Sequence, residues 1–321
     1  MKYDLTKVKV LVIGDLMVDH YTFGLSERMS PEAPVPVILP VSQSYKPGGA
    51  ANVAANLKSL GAIVTCCGVV GDDFYGHELI SLLKKQDINT DGIIITDNHT
   101  TTVKHRFYAN ESQVVRVDTE KFLEVSYDKF YKIIDKDNYD VIIISDYNKG
   151  VINSKNMIKS IKEYVANRKR QSCEIIVDPK KDNFIFYKGA DIVTPNLSEL
   201  NKAVKVNIND DQSIVLACRD LIKNYSFNYV VAKKGHRGMT IVGKDNFHIN
   251  IDAIKVKNPD VTGAGDTVIA VLSLIFSICK DIKLSAKISN HAASTVVSKT
   301  GTVMIEKNEI EKIINLVLQS S

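Results

Sequence analysis

The sequence carries almost no surplus of charge: 41 basic residues stand against 37 acidic ones, a formal net charge of +4. That is too little to argue for a nucleic-acid partner, which would need basic residues gathered on one face. The short run Arg168-Lys169-Arg170 reads as a solvated helix end before it reads as a binding patch. Cysteine is sparse and odd in number, with Cys66, Cys67, Cys173, Cys218 and Cys279, and no pair has a metal-type spacing. A disulfide framework is excluded for a chain of this size, and the adjacent Cys66-Cys67, inside an apolar run, suits a buried strand. No apolar stretch reaches the length of a membrane span, and no signal-peptide pattern follows the opening Met-Lys-Tyr-Asp-Leu; the expectation is a cytoplasmic protein with no membrane contact. Internal repeats, low-complexity tracts and linkers are also missing.

What is present is an ordinary globular composition, 45% apolar and 24% charged over 321 residues, enough for a large core. Val8–Gly14 is a continuous apolar run ending in Gly-Asp, the mark of a buried parallel strand. Further strands are predicted at Ile63–Val70, Gly92–Ile95, Thr101–Val117, Val141–Ser145, Glu174–Val177, Ile192–Val193 and Tyr229–Lys233. Helical periodicity falls between them, as at Ala50–Leu60, Asp73–Gln86, Tyr127–Lys136 and Asn153–Asn167. Met239–Val242 and Phe247–Ile251 read as a hairpin turning near Gly243–Asn246. Helices at about Gly265–Cys279, Leu284–Thr300 and Lys307–Leu318 close the chain. Alternating units of this kind imply an α/β fold with a mainly parallel sheet covered by helices on both faces, and a site at the carboxyl ends of its strands. The segment 20–47 breaks the pattern. It holds Pro31, Pro34, Pro36, Pro40 and Pro47 and cannot be a helix; a small sheet outside the main one is expected. The organisation is one domain over 1–318, interrupted at about 20–47 and 98–117.

Chemistry concentrates in Asp260-Val261-Thr262-Gly263-Ala264-Gly265-Asp266-Thr267, just before an apolar helix. Gly263 and Gly265 permit a tight backbone at the helix start, where free N–H groups and the helix dipole suit an anion. Asp266, in the first turn, can accept a proton from a hydroxyl beside that anion. Read alone, the segment also fits a simple turn followed by a favourable first-turn acid. It is neither a Walker loop, since no Gly-Lys-Ser/Thr follows, nor a dinucleotide fingerprint, since the third glycine is missing.

Thr262-Gly263-Ala264-Gly265-Asp266 resembles the C-terminal signature of the ribokinase (PfkB) family, and Gly48-Gly49-Ala50-Ala51-Asn52 resembles its N-terminal one. The resemblance implies a ribokinase-like three-layer sandwich with a small β-sheet lid. It implies an ATP- and Mg²⁺-dependent sugar kinase in which Asp266 is the catalytic base and the Gly263, Ala264 and Gly265 amides form an anion hole. Gly48, Gly49 and Asn52 would meet the sugar, with Asp15 and Asp19 at the end of the first strand accepting bonds from its hydroxyls. Asp15 and Asp19 also fit a loop acid and a cap. Asn196-Leu197-Ser198-Glu199 resembles the family's Asn-x-x-Glu element, with Glu199 reaching Mg²⁺ directly or through water; a helix cap after Pro195 accounts for it equally. Thr262, Lys180, Lys233, Gly235 and Gly238 would lie along the nucleotide phosphates, and Asn290 and Ala293, on a helix rich in small residues, against the adenine. Gly235 and Gly238 also fit a hairpin entry, and the small residues around Asn290 fit helix packing.

Further segments, among them Ser30–Pro36, Ser145-Asp146-Tyr147, Lys149-Gly150 and Val177–Lys180, resemble the branch of this family that phosphorylates D-glycero-D-manno-heptose 7-phosphate at C1, in its kinase-only form. That implies a sugar-phosphate substrate, with Asp146 near it, and a place in lipopolysaccharide precursor synthesis. Lys104 and Arg106 share one face of a predicted strand, with Arg116 on the same parity. They suit a terminal phosphate, or the outward side of an exposed strand. Asn148, Asn110 and Ala270 depart from the pattern where glycine, arginine and glycine are expected. Members of the family commonly pair through the lid, so a homodimer is expected. A kinase for another sugar, sugar phosphate or nucleoside is the nearest alternative. A non-catalytic sensing protein on the same fold would be expected to lose Asp266 or the Gly-Ala-Gly turn. A dinucleotide-dependent oxidoreductase is disfavoured because no Gly-rich turn follows the first strand.

Overall fold

Lys9–Gly14 (β1) lies deep in the main sheet of the computed structural model, which describes residues 3–319 except 124, 167–172, 205–207, 300 and 302. Its side chains alternate between two separate cores, Val10 and Val12 into one, Leu11 and Ile13 into the other, all fully buried. A strand covered on both faces has no polar side, so 8–14 reads as an unbroken apolar run. β1 pairs in parallel with Ile63–Gly71 (β4) on one side and Val141–Ser145 (β8) on the other. The sheet continues past β4 with Asn89–Thr96 (β5), and past β8 with Glu174–Asp178 (β9), Ile192–Val193 (β10) and Tyr229–Lys233 (β11). Met239–Gly243 (β12) and His248–Ile251 (β13) finish it as an antiparallel edge. The spatial order is β13-β12-β11-β10-β9-β8-β1-β4-β5. The chain moves away from β1 in one direction through β4 and β5, then returns to its other side with β8. The crevice at the β1/β8 carboxyl ends is thus a topological switch point, where open α/β sheets place their ligands.

Helices Ala50–Ser59 (α1), Phe74–Lys85 (α2), Ala264–Cys279 (α7), Ile282–Val297 (α8) and Lys307–Gln319 (α9) pack into the first core. Asp128–Lys136 (α3), Met157–Ala166 (α4), Leu197–Val204 (α5) and Asp211–Tyr225 (α6) pack into the second. This is the expected three-layer sandwich. α7 is buried along all of 266–276, which is why its sequence is apolar all round rather than amphipathic. No helix among the described residues is long and apolar enough to cross a membrane. The basic run Arg168-Lys169-Arg170 lies outside the described residues.

A second, four-stranded sheet has the order β3-β2-β6-β7, from Leu16–Leu25 (β2), Leu39–Gly49 (β3), Thr102–Ala109 (β6) and Ser112–Thr119 (β7). Its first hairpin is longer than the expected 20–47, because β2 follows β1 after one residue and β3 runs straight into α1. Pro40 and Pro47 lie inside β3, which tolerates them because it is an edge strand with one side of its backbone unpaired. The single strand expected over Thr101–Val117 is two, turning at Asn110-Glu111, where both residues have positive φ (49° and 69°). Arg106 stands directly opposite Arg116, and Lys104 opposite Asp118. On the reverse face His20 and His105 stack with centroids 3.6 Å apart; burial, and then His20, push the His105 imidazole down to about 4.

Candidate active site

Gly263 opens α7 in the left-handed region (φ 76°), a conformation glycine adopts without strain, and Asp266 falls in the first turn behind it. The Ala264 amide turns back to the Val261 carbonyl at 3.2 Å. Among the described residues the amides of Gly265 and Asp266 have no acceptor, so of the three residues expected to face an anion these two present free N–H groups. The Asp266 carboxylate is buried and held by two donors: Tyr147 Oη donates to Oδ1 at 2.6 Å and Asn52 Nδ2 to Oδ2 at 2.7 Å. Burial pushes the carboxyl up to about 6, opposed by the bonds from Tyr147 and Asn52. Asn52, expected at the sugar, thus gives an amide proton to the Asp266 carboxylate.

Asp15, at the end of β1, is 1% exposed. Its Oδ2 accepts the Tyr147 and Lys149 amides at 2.8 and 3.0 Å, and its Oδ1 the Val151 amide at 3.1 Å. Expected to bind sugar hydroxyls, its carboxylate holds the loop after β8. That loop holds Asn148 at φ 57°, and asparagine tolerates this where the family pattern has glycine. Asp146 accepts from Tyr187 Oη at 2.6 Å and from the Asn148 amide at 2.6 Å. Burial and then the neighbouring Asp15 carboxylate push the Asp146 carboxyl up to about 7.

On the lid side Arg106 Nη1 donates to Asp19 Oδ1 at 2.5 Å, and both side chains are buried. Burial works against the guanidinium charge, but Asp19 holds its pKa above the ordinary value. Gly48 lies opposite this pair; a Cβ there would stand 3.1 Å from Asp19 Oδ2. Gly49 caps α1. Lys104 pairs with Asp118 at 3.2 Å and Glu120 at 3.5 Å, and Arg116 with Asp118 at 2.9 Å. All three basic residues are therefore on one face, as expected, and each already has a carboxylate partner.

On the other side of Asp266, Lys233 Nζ lies 2.5 Å from Asp178 Oδ1. A methyl group on Gly265 would come within 3.6 Å of that ammonium, so the ion pair borders the helix start. Burial opposes the charge of Lys233, but Asp178 and then Glu199 hold its pKa above the usual value. Lys180 reaches Glu199 Oε1 at 3.3 Å. Asn196 and Glu199 form a reciprocal cap at the start of α5: the Glu199 amide donates to Asn196 Oδ1 at 2.9 Å, and the Asn196 amide to Glu199 Oε2 at 2.8 Å. The cap uses Oε2 and leaves Oε1 to Lys180. Groups of three or more His, Cys, Asp and Glu able to hold a metal are absent among the described residues. Mg²⁺ keeps waters and needs only one or two carboxylates beside phosphates; Asp178 and Glu199 fit that requirement. Gly235 is exposed with open space around it, whereas Gly238 is packed against the Ile251 carbonyl. The Thr262 amide donates to Asp260 Oδ1 at 3.0 Å. Asn290 is buried and donates to the Asp252 carbonyl at 2.9 Å; Ala293, on the same helix, is half-buried.

Sequence reasoning missed Tyr147, Tyr187 and Asp178 as members of the site. Each has a signal in hindsight: Asp178 ends a parallel strand, Tyr147 follows one by two residues, and Tyr187 is a fully buried tyrosine whose hydroxyl must find partners.

The model of the pfkB family carbohydrate kinases matches residues 7–308. A bifunctional protein HldE of Helicobacter acinonychis (strain Sheeba) is 38% identical over 312 residues, covering 96% of this chain and 66% of that protein. A bifunctional protein HldE of Sulfurimonas denitrificans is 37% identical over 309 residues, covering 95% and 64%. The chain thus spans slightly less than two thirds of these relatives. Among solved structures, phosphofructokinase-2 from Escherichia coli in complex with potassium aligns with a TM-score of 0.77 at 18% identity, over 98% of this chain and 99% of that one. Arabidopsis thaliana ribokinase complexed with ribose and ATP aligns with a TM-score of 0.75 at 18% identity, over 96% and 98%.

Replacing Asp15 by Asn puts an N–H donor among three amides that need acceptors. Asp15→Asn is expected to lose about 1–3 kcal/mol in urea unfolding and to lower turnover at least tenfold; a variant with unchanged stability would show that the loop does not lean on this carboxylate.

Proposed function

The chain belongs to the pfkB family of carbohydrate kinases, and from that premise we propose that it transfers the γ-phosphoryl group of ATP to the C1 hydroxyl of D-glycero-D-manno-heptose 7-phosphate. The observation that carries the reaction is Asp266: a buried carboxylate, clamped by Tyr147 and Asn52 at a helix start whose Gly265 and Asp266 amides have no acceptor among the described residues. The acceptor hydroxyl gives its proton to Asp266 as its oxygen bonds to the γ-phosphorus. The bond from that phosphorus to the bridging oxygen breaks, and ADP leaves with the electron pair. The helix-start amides, and Lys233 at their side, stabilise the charge that builds on the transferring group. Kinases of this family use ATP with Mg²⁺. Mg²⁺ held by Asp178 and Glu199 would neutralise phosphate charge when bound.

Support for a phosphorylated sugar comes from the lid. Lys104, Arg106 and Arg116, with Lys149 bound to Glu120 beside them, outnumber Asp19, Asp118 and Glu120 on this side of the site. The relatives named HldE, and the segments that resemble the heptose 7-phosphate branch, agree with that substrate. The carboxylate partners of Lys104 and Arg116 favour a second reading, a kinase for a neutral sugar, in which these pairs only brace the lid. We place the reaction in the cytoplasm, where ATP is supplied, and its product in lipopolysaccharide precursor synthesis. We also propose a homodimer through the lid. Val115 and Val117, 46% and 50% exposed, sit opposite Phe107 and His105 on the face turned away from Arg106, an apolar surface suited to a second copy.

Asp266→Asn is expected to lower kcat roughly 10²–10⁴-fold with little change in sugar affinity. In the wild type, kcat falls as pH drops through about 6, because the ionised carboxylate, present above that pH, is the form that accepts the proton. In ADP-release assays with heptose 7-phosphate, fructose 6-phosphate, ribose, fructose and adenosine, heptose 7-phosphate alone is turned over efficiently. Arg106→Ala then raises its KM roughly tenfold or more. Equal turnover of an unphosphorylated sugar would remove the phosphate role of the lid. Light scattering at micromolar concentration is expected to give the mass of a dimer, and a monomer's mass would refute the lid pairing.

A further inference from the structure

Tyr147 is two residues beyond β8, on the loop that Asp15 holds by the amides of Tyr147, Lys149 and Val151. Its phenol is the group of that loop that touches the candidate base, donating to Asp266 Oδ1 at 2.6 Å. The loop backbone is fixed at its carboxylate anchor, so the hydroxyl has little freedom to leave. A phenol donating to a carboxylate favours the ionised form of that carboxylate. Here it opposes burial and the Asp178 carboxylate, which favour the neutral acid, and acts alongside Lys233, which favours the ionised form. Burial and the adjacent Asp266 charge hold the phenol itself well above its ordinary pKa, so it remains a donor. Asn52 is the corresponding donor on Oδ2. A carboxylate oxygen can accept more than one hydrogen bond, so each oxygen keeps capacity for an incoming hydroxyl.

We propose that Tyr147 is a positioning residue for phosphoryl transfer. Its hydroxyl keeps the buried Asp266 ionised near neutral pH and aims it, through one bond to Oδ1, at the acceptor hydroxyl. This rests on the reading of Asp266 as the base. In the step, the acceptor proton passes to Asp266 while the acceptor oxygen bonds to phosphorus and the bridging P–O bond breaks. Tyr147 keeps its own proton throughout, and its bond weakens as the carboxylate charge is neutralised.

Tyr147→Phe keeps the ring and removes the donor. Two readouts are taken on the full chain. The first is the carboxyl titration of Asp266, followed by carbon-13 NMR with labelled aspartate and assigned by comparison with Asp266→Asn. The second is the pH dependence of kcat with heptose 7-phosphate. The expected result is a carboxyl midpoint raised by about one pH unit, with the acid limb of kcat moving up by the same amount. The variant then loses about fivefold near pH 6, approaching tenfold at lower pH, and recovers most of its activity above pH 8. A merely structural role would lower kcat evenly across pH and leave the titration in place. A carboxyl titration unchanged in Tyr147→Phe overturns the inference while leaving Asp266 as base. A carboxyl that moves while the limb stays put overturns the assignment of the base, and the positioning role with it.

Discussion

The site hangs on Asp15. Its backbone amide donates to the Ser145 carbonyl at 3.2 Å, its carbonyl accepts the first amide of α1 from Ala50 at 3.0 Å, and its carboxylate gathers three amides of the loop after β8. One buried residue thereby joins the ends of the two strands that flank the switch point to the start of a helix that carries Asn52. Buried charge is costly unless hydrogen-bonded, and here backbone N–H groups supply the compensation. The consequence reaches Asp266: Asn52 comes from α1 and Tyr147 from the β8 loop, so both donors on the base are set by the same anchor.

Around this anchor the charges are paired. Asp266 is followed along the strand ends by Lys233, Asp178, Glu199 and Lys180, with ion pairs of 2.5 Å between Lys233 and Asp178 and 3.3 Å between Lys180 and Glu199. On the lid side Arg106 answers Asp19. Such pairs add little certain stability, since desolvation offsets attraction. In the proposed reaction their use is electrostatic: cations lie on both sides of the Asp266 carboxylate. Asp146 is the exception. Crowded by Asp15 and buried, its carboxyl is pushed up to about 7, and Tyr187 supplies the donor that keeps it satisfied.

Local signals in the chain were strong where burial or backbone strain dictates residue type. The apolar run 8–14 gave away a strand buried on both faces, and Gly263 a left-handed helix start. The prolines of 20–47 correctly excluded a helix, although they could not say that β3 would be an edge strand long enough to carry Pro40 and Pro47. The hairpin at Asn110-Glu111 was hidden because neither residue is glycine, and asparagine and glutamate at positive φ carry a weaker signal. Of the two readings of Asn196 and Glu199, the helix cap is present as a reciprocal pair of bonds, which the Asn-x-x-Glu spacing signals by itself.

By itself the sequence determined the layered α/β class, the helix start at Gly263–Asp266 and the identity of the carboxylate there, because periodicity, glycine placement and strand-end acids are properties of neighbouring residues. Only the tertiary structure decided what each acid does. By sequence Asp15 and Asp19, just beyond the first strand, both suit sugar hydroxyls. Yet one is consumed by backbone amides more than 130 positions away, and the other pairs with an arginine 87 positions along the chain. Hydrogen-bond partners of buried charges are chosen by which strand ends the sheet order brings together, and that order is a long-range outcome of packing two cores against one sheet.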